Sequence, residues 1–177
     1  GEISRKKAIP IVVYVISPQR NDAITDDAQK ENILNSYGVD RVVFRTLDYK
    51  LKNMMPDEFV RDIVCSELNA SFVVVGENFR FGKDRRGHSN LLVGLCQNAR
   101  VECFVVDTVR MVSASGSSET VSSTAIREFL KEGQVDFAYK YLGRPYFIRG
   151  EVKHGKHLGT GMGVPTANIV PPQKCPE

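Results

Sequence analysis

The stretch SFVVVGENFRFGKDRRG, residues 71–87, opens on a β-rich run (71–75) that stops at Gly76. The run is apolar without polar alternation, which fits a strand covered on both faces, as in a parallel sheet flanked by helices. Ligands of such sheets bind beyond the C-terminal strand ends, so the loop 76–87 is a candidate site from the outset. Gly76 and Gly82 permit tight backbone paths. Phe79 and Phe81 offer an aromatic wall for a planar ligand, and Arg80, Lys83, Arg85 and Arg86 offer charge to phosphate. The competing reading is a solvated basic loop with both phenylalanines tucked into the core.

Outward from this stretch the same texture repeats. Residues 11–16 (IVVYVI), 39–44 (VDRVVF) and 101–106 (VECFVV) read as further strands. Between them, Asp26 or Asp27 caps a helix that carries Ile33, Leu34 and Tyr37 on one face and stops at Gly38. Pro56 opens another, with Asp57 and Glu58 in its first turn and Phe59, Val60, Ile63, Val64 and Leu68 at helical spacing. Residues 90–97 form a third, with Leu91, Leu92, Leu95 and Cys96 as its apolar face. Alternating strands and helices predict an α/β domain with a parallel sheet and right-handed crossovers. The candidate site loops are then 17–20, 48–53 and 76–87.

The pattern changes after Asp107. Residues 113–120 (SASGSSET) read as flexible, and two short helices follow, from Ser123 or Thr124 to Lys131 and over 134–142, broken at Gly133. Ser122, Ser123 and Thr124 stand at the N-terminus of the first, with Arg127 about one turn in. Hydroxyls, free amides and a guanidinium suit a polyphosphate, although an ordinary N-cap cluster has the same composition. Residues 143–145 form a joint. Beyond it, 147–152 reads as an alternating strand, and 154–168 (HGKHLGTGMGVPTAN) as a glycine-dense loop that wraps a ligand backbone-first. That loop lacks the ending of a P-loop. Thr166 and Asn168 lie two apart in a strand-like run, and a hydroxyl and an amide oxygen both suit Mg²⁺. His154 and His157 have no third ligand nearby, which speaks against zinc.

Composition bounds the function classes. The 177 residues are 42% hydrophobic and 25% charged, the profile of a folded globular chain. The net charge of +3 carries no clustered basic face of the kind nucleic acid requires. No apolar run approaches the roughly 18 residues of a membrane span. Cys65, Cys96, Cys103 and Cys175 show no C-x-x-C spacing and read as buried thiols of a reducing compartment. With no signal-peptide pattern at the N-terminus, the expected location is the cytoplasm. The partners expected are small molecules, with neither nucleic acid nor membrane, and the oligomeric state is left open.

VGENFRFG (75–82), VSSTAIR (121–127), LGRPY (142–146) and GVPTAN (163–168), in this order, resemble the prokaryotic bifunctional riboflavin kinase/FMN adenylyltransferase family, often called FAD synthetase. The resemblance covers nearly the whole chain. It implies a Rossmann-like nucleotidyltransferase domain (1–122), a small helical subdomain (123–145) and the start of a riboflavin kinase β-barrel (146–177). The implied chemistry joins FMN to the adenylyl group of ATP, giving FAD and pyrophosphate, with riboflavin phosphorylation by ATP and Mg²⁺ in the kinase domain. On the matching motifs, Ser122, Ser123, Thr124 and Arg127 hold ATP phosphates, Arg127 serving as the catalytic cation. Asn78 lines the flavin and nucleotide cleft, and Thr166 and Asn168 meet Mg²⁺ and nucleotide phosphates.

The chain also departs from the family pattern. An HxGH-type nucleotide motif is expected before Gly1, and a kinase glutamate beyond Glu177. Gln19 follows Pro18 where the family usually has histidine, and Met55 stands where a serine often precedes the helix at Pro56. The expectation is of a chain truncated at both ends, impaired in both reactions, with exposed edge strands after Tyr146. Two other functions compete: adenylyl transfer to another phosphorylated acceptor, such as nicotinamide mononucleotide or a pantetheine phosphate, and a non-catalytic flavin or nucleotide binding module.

Overall fold

The computed structural model describes residues 8–17, 23–112, 118–153 and 168–170. They fall into two compact units: Thr46–Val121 forms one, and Gly1–Arg45 with Ser122–Glu177 the other.

The first of these units in the chain holds β1 (Val12–Ser17), α1 (Asp27–Ser36) and β2 (Arg41–Thr46, whose last residue clusters with the other unit). β1 pairs with β2 in parallel, as a strand–helix–strand crossover dictates. Asp26 caps α1 reciprocally. Its Oδ1 accepts from the Gln29 amide at 2.6 Å, and Gln29 Oε1 accepts from the Asp26 amide at 3.2 Å. That exchange is why Gln29 is tolerated in a buried position. Tyr37, expected on the apolar face, is 78% exposed. It sits one residue past the last helical turn, where the chain is already turning into Gly38, so the helical period no longer sets its direction.

The unit Thr46–Val121 carries most of the buried residues. α2 is Tyr49–Asn53, and α3 begins at Pro56–Glu58 and continues as a π-helix over Phe59–Glu67. The sequence pattern predicts an ordinary α-helix here. Instead the Leu68 amide donates to the Ile63 carbonyl at 2.9 Å, a five-residue spacing, and the Ser66 hydroxyl donates to the Arg61 carbonyl at 2.8 Å. Phe59, Val60, Ile63 and Val64 are buried, each stabilising the fold by about 1.5–3 kcal/mol relative to exposure. β3 (Phe72–Gly76) leads into a small hairpin of β4 (Arg80–Phe81) and β5 (Gly87–His88), then α4 (Ser89–Asn98) and β6 (Glu102–Val106). Leu92 and Cys96 of α4 are completely buried, while Leu91, expected on the same face, is exposed. β3 and β6 pair in parallel from Phe72↔Glu102 to Gly76↔Val106. The pair is not covered on both faces within this unit: Val74, Phe104 and Val106 are exposed, while Val73, Val75 and Cys103 are partly covered or at its margin. Part of the stretch read as flexible is ordered, since β7 (Arg110–Val112) pairs antiparallel with β8 (Ser118–Thr120).

In the other unit α5 (Ser123–Lys131) and α6 (Val135–Leu142) turn about Gly133, whose φ of +70° glycine adopts without penalty. They pack through Ile126, Ala138 and an aromatic group in which the Phe129 ring lies 5.5 Å from Phe137 and 5.0 Å from Tyr141. β9 (Glu151–Lys153) and β10 (Asn168–Val170) pair antiparallel, with Asn168 opposite Lys153. The strand expected over 147–152 is confined to its end. The described residues form an α/β fold with parallel pairing and contain no closed barrel.

Candidate functional site

Two groups of candidate residues lie at positions that the fold makes available to ligands. The first sits beyond the C-terminal ends of β3 and β6. The Glu77 amide donates to the Val106 carbonyl at 2.9 Å, so the parallel ladder runs one step past Gly76. Asn78 follows, exposed, and its Nδ2 donates to Thr108 Oγ1 at 2.9 Å. The Thr108 amide donates to Glu77 Oε1 at 3.2 Å, and the Ser89 hydroxyl to the Glu77 carbonyl at 3.1 Å. Hydrogen bonds from the Thr108 hydroxyl and amide hold the Glu77 carboxyl below its ordinary value, with Arg110 adding a smaller attraction and desolvation opposing both.

The basic loop beside this group divides its aromatic residues. Phe81 is buried and stacks on Phe79 at 5.4 Å and against Phe59 at 5.1 Å, so its ring belongs to the core rather than to a ligand wall. Phe79 is half-buried. The chain then turns sharply: Gly82 has φ +71°, and Asp84 and Arg85 lie in the left-handed region at +55° and +58°. The Lys83 amide anchors the turn by donating to the Met54 carbonyl at 2.7 Å. Of the loop's cations, Arg80 donates to the Phe79 carbonyl at 2.9 Å, and Arg86 makes a loose, exposed pair with Asp84 at 3.9 Å.

The second group is the N-terminus of α5, in the other unit. Ser122 is the N-cap, and its hydroxyl accepts from the Ala125 amide at 3.2 Å. Ser123 and Thr124 stand in and beside the first turn, and Arg127, half-buried, donates from Nη1 to the Ser123 carbonyl at 3.1 Å. The four residues are thus brought together on one helix turn, whose amides and dipole favour an anion. Asn168 stands exposed at the start of β10. Thr166, Gln19, His154 and His157 lie outside the described residues. Met55 provides no side-chain cap, but Glu58 Oε2 accepts from the Met55 amide at 2.8 Å and relieves that helix end.

Sequence reasoning missed Thr108 and Glu77. Thr108 lies 30 positions from its partner Asn78, a separation that only the parallel pairing of β3 with β6 closes. A polar residue shortly after each strand was the available signal. Among the described residues, no cluster of three or more His, Cys, Asp or Glu is arranged to hold a metal. No helix among them is long and apolar enough to cross a membrane.

Comparison with known proteins bears on the chemistry these groups serve. A family model described as FAD synthetase matches residues 3–125. The chain belongs to the FAD synthetase family. A second model, described as riboflavin kinase, matches residues 142–177. The bifunctional riboflavin kinase/FMN adenylyltransferase of Buchnera aphidicola subsp. Schizaphis graminum is 32% identical over 180 residues, which cover 95% of this chain and 55% of that protein. The protein of the same description from Escherichia coli K12 is 31% identical over 177 residues, with the same coverage of both chains. That from Haemophilus influenzae is 34% identical over 131 residues, 74% of this chain and 41% of the relative. This FAD synthetase family chain therefore spans about half the length of the curated relatives it matches. A crystal structure described as a macrolide-efflux protein from Streptococcus pneumoniae superposes with a TM-score of 0.82 at 28% identity, covering 98% of this chain and 58% of that one.

Proposed function

We propose that the chain carries the FMN adenylyltransferase function of its family, transferring the AMP moiety of ATP to FMN to give FAD and pyrophosphate. The observation that carries this is the N-terminus of α5, where Ser122, Ser123, Thr124 and Arg127 share one turn that opens inside the span matched by the FAD synthetase model. Two family models, both naming flavin chemistry, cover most of the chain, so FAD formation is preferred over the efflux named for the pneumococcal structure.

In this reading an oxygen of the FMN phosphate attacks the α-phosphorus of ATP, the bond to the β-phosphate oxygen breaks, and pyrophosphate leaves with the electron pair. No covalent enzyme intermediate is required. Free amides of the first turn of α5 and the Arg127 guanidinium stabilise negative charge moving onto the leaving group. Ser123 and Thr124 present hydroxyls to the phosphates, and Ser122 keeps the turn formed. Asn78 contributes a carboxamide to the ring of FMN or adenine at the strand ends. Residues 1–122, 123–145 and 146–177 are proposed as adenylyltransferase, helical and kinase segments.

The kinase segment is proposed to act on riboflavin with ATP and Mg²⁺. The exposed Asn168 fits such an ion in kind, since its amide oxygen is a hard donor of the sort Mg²⁺ accepts. Thr166 would add a hydroxyl. A cytoplasmic location accords with free Cys65, Cys96 and Cys103.

The test is FAD and pyrophosphate formation from FMN, ATP and Mg²⁺ by the purified 177-residue chain, followed by chromatography and a coupled pyrophosphate assay. Slow formation of both in equal amounts, as fits a chain impaired in the reaction, and its loss in Arg127→Ala are expected. FMN binding without any FAD would favour a flavin-binding module, and product from another phosphorylated acceptor in place of FMN would change the substrate.

A further inference from the structure

Beyond Tyr146 the described residues hold one ladder of two strands, β9 with β10. Among the described residues, neither strand has a neighbour on its outer edge. Two strands by themselves are marginal in water, and an open edge is a template for a further strand. Both are exposed along their length, Val152 at 66% and Ile169 at 52%. These two side chains share a face, because the register sets Ile169 opposite Val152. Glu151 and Lys153 share the other face, two positions apart, with Lys153 Nζ 3.6 Å from Glu151 Oε2.

The order Glu151, Val152, Lys153 is complementary to its own reverse. We propose that the outer edge of β9 pairs antiparallel with the same edge of a second copy of this chain, about a two-fold axis at Val152. Residues directly opposite one another share a face. Glu151 then meets the partner's Lys153, Lys153 meets the partner's Glu151, and the two Val152 side chains meet at the axis. One face carries four charges of alternating sign. The other carries an apolar row in which Ile169 and Val152 of each copy run across a four-stranded sheet. Other registers lose this match. Parallel pairing in register, or an antiparallel axis at Glu151 or Lys153, sets like charges together, and a slip of one residue sets Val152 against a charge. The outer edge of β10 has no such symmetry, since its reverse sets Asn168 against Val170. The β9 contact is isologous and uses up the edge, so it closes at a dimer. It stands apart from the adenylyltransferase reading, because neither strand lies in the span matched by the FAD synthetase model.

The experiment is sedimentation equilibrium of the 177-residue chain from micromolar to millimolar concentration. So small an edge predicts a reversible dimer that weakens with added salt. Two variants test the register. In Glu151→Lys both positions flanking Val152 are cationic, and in Lys153→Glu both are anionic. Each variant alone sets two like-charged pairs across the axis, and its self-association should weaken by about tenfold or more. An equal mixture restores two opposite-charge pairs. Mixed dimers should then form with an affinity near that of the parent, identified by native mass spectrometry with one variant ¹⁵N-labelled. Both side chains are exposed, so the urea midpoints of the variants should match the parent's, which separates a lost contact from a lost fold.

A parent chain that stays monomeric at millimolar concentration overturns the pairing. A dimer that ignores both substitutions does so too, as does a mixture of the variants that stays apart, or growth beyond two copies. None of these readings needs flavin or ATP, so a failure of the adenylyltransferase reading leaves them unchanged.

Discussion

Gly87 lies so close to Phe81 that a Cβ at position 87 would come within 2.6 Å of two carbons of the ring and 2.7 Å of the Phe81 carbonyl oxygen. The two residues face each other across the β4–β5 hairpin, and the Phe81 ring is locked by Phe59 and Phe79. Neither ring nor backbone has room to yield. Gly87→Ala is therefore expected to destabilise the chain by about 1–3 kcal/mol, the usual range for overpacking a core. Urea unfolding measures it. An unchanged midpoint would mean that the hairpin relaxes freely, contrary to the packing described.

The buried thiols should be chemically quiet. Burial, reinforced by the neighbouring Cys103, pushes the Cys96 thiol up to about 12, and Cys103 is raised mainly by burial as well. At pH 8 almost no thiolate forms at Cys96. Iodoacetamide treatment of the folded chain, read by peptide mass spectrometry, should leave Cys96 unlabelled while the half-exposed Cys65 reacts. Equal labelling of the two before unfolding would contradict the burial of α4 against β6.

Much of this architecture was legible from local pattern. The parallel strands, the cap at Asp26 and the break at Gly133 each follow from short-range chemistry, whereas the cap expected at Ser123 or Thr124 falls on Ser122, because the helix already starts at Ser123. The π-helix of Phe59–Glu67 was not, because its apolar residues also satisfy an α-helical period and the difference lies in which carbonyl each amide selects. The β7–β8 hairpin hid behind serine-rich composition around one of its strands. The candidate site divided similarly. The hydroxyl cluster before Arg127 shows in sequence because all its members share one helix turn, whereas the Glu77–Thr108–Asn78 chain needs strands far apart in sequence to be paired. Phe81 had a core reading and a ligand-wall reading of equal sense until its ring contacts with Phe59 and Phe79 decided between them.

The Glu77 network should make stability depend on pH. Its folded carboxyl titrates below the unfolded value of about 4.3, so its stabilisation is full above that value. It is lost as pH falls through the lower, folded value. The thermal midpoint of the unsubstituted chain should therefore exceed that of Glu77→Gln at pH 7, with the difference shrinking as pH falls below the unfolded value. A difference that grows on acidification would reverse the assigned direction.

The N-terminus of α5 allows stability and phosphate binding to be separated at one position. Ser122→Ala removes the cap to the Ala125 amide and should cost about 0.5–2 kcal/mol. Ser122→Asp restores an excellent cap and complements the helix dipole, so the unfolding midpoint should return to that of the parent. The same aspartate places negative charge where a polyphosphate is proposed to sit. Its repulsion should weaken ATP binding while stability is kept, the reverse of what a purely structural cap would show. Arg127→Ala, which leaves Ser122 in place, should lower FAD formation by about 100-fold or more if its guanidinium meets charge developing on pyrophosphate. Calorimetric ATP titration alongside urea unfolding reads both axes. A Ser122→Asp chain that is fully stable and binds ATP as the parent does would remove the phosphates from this turn, and with them the role of Arg127.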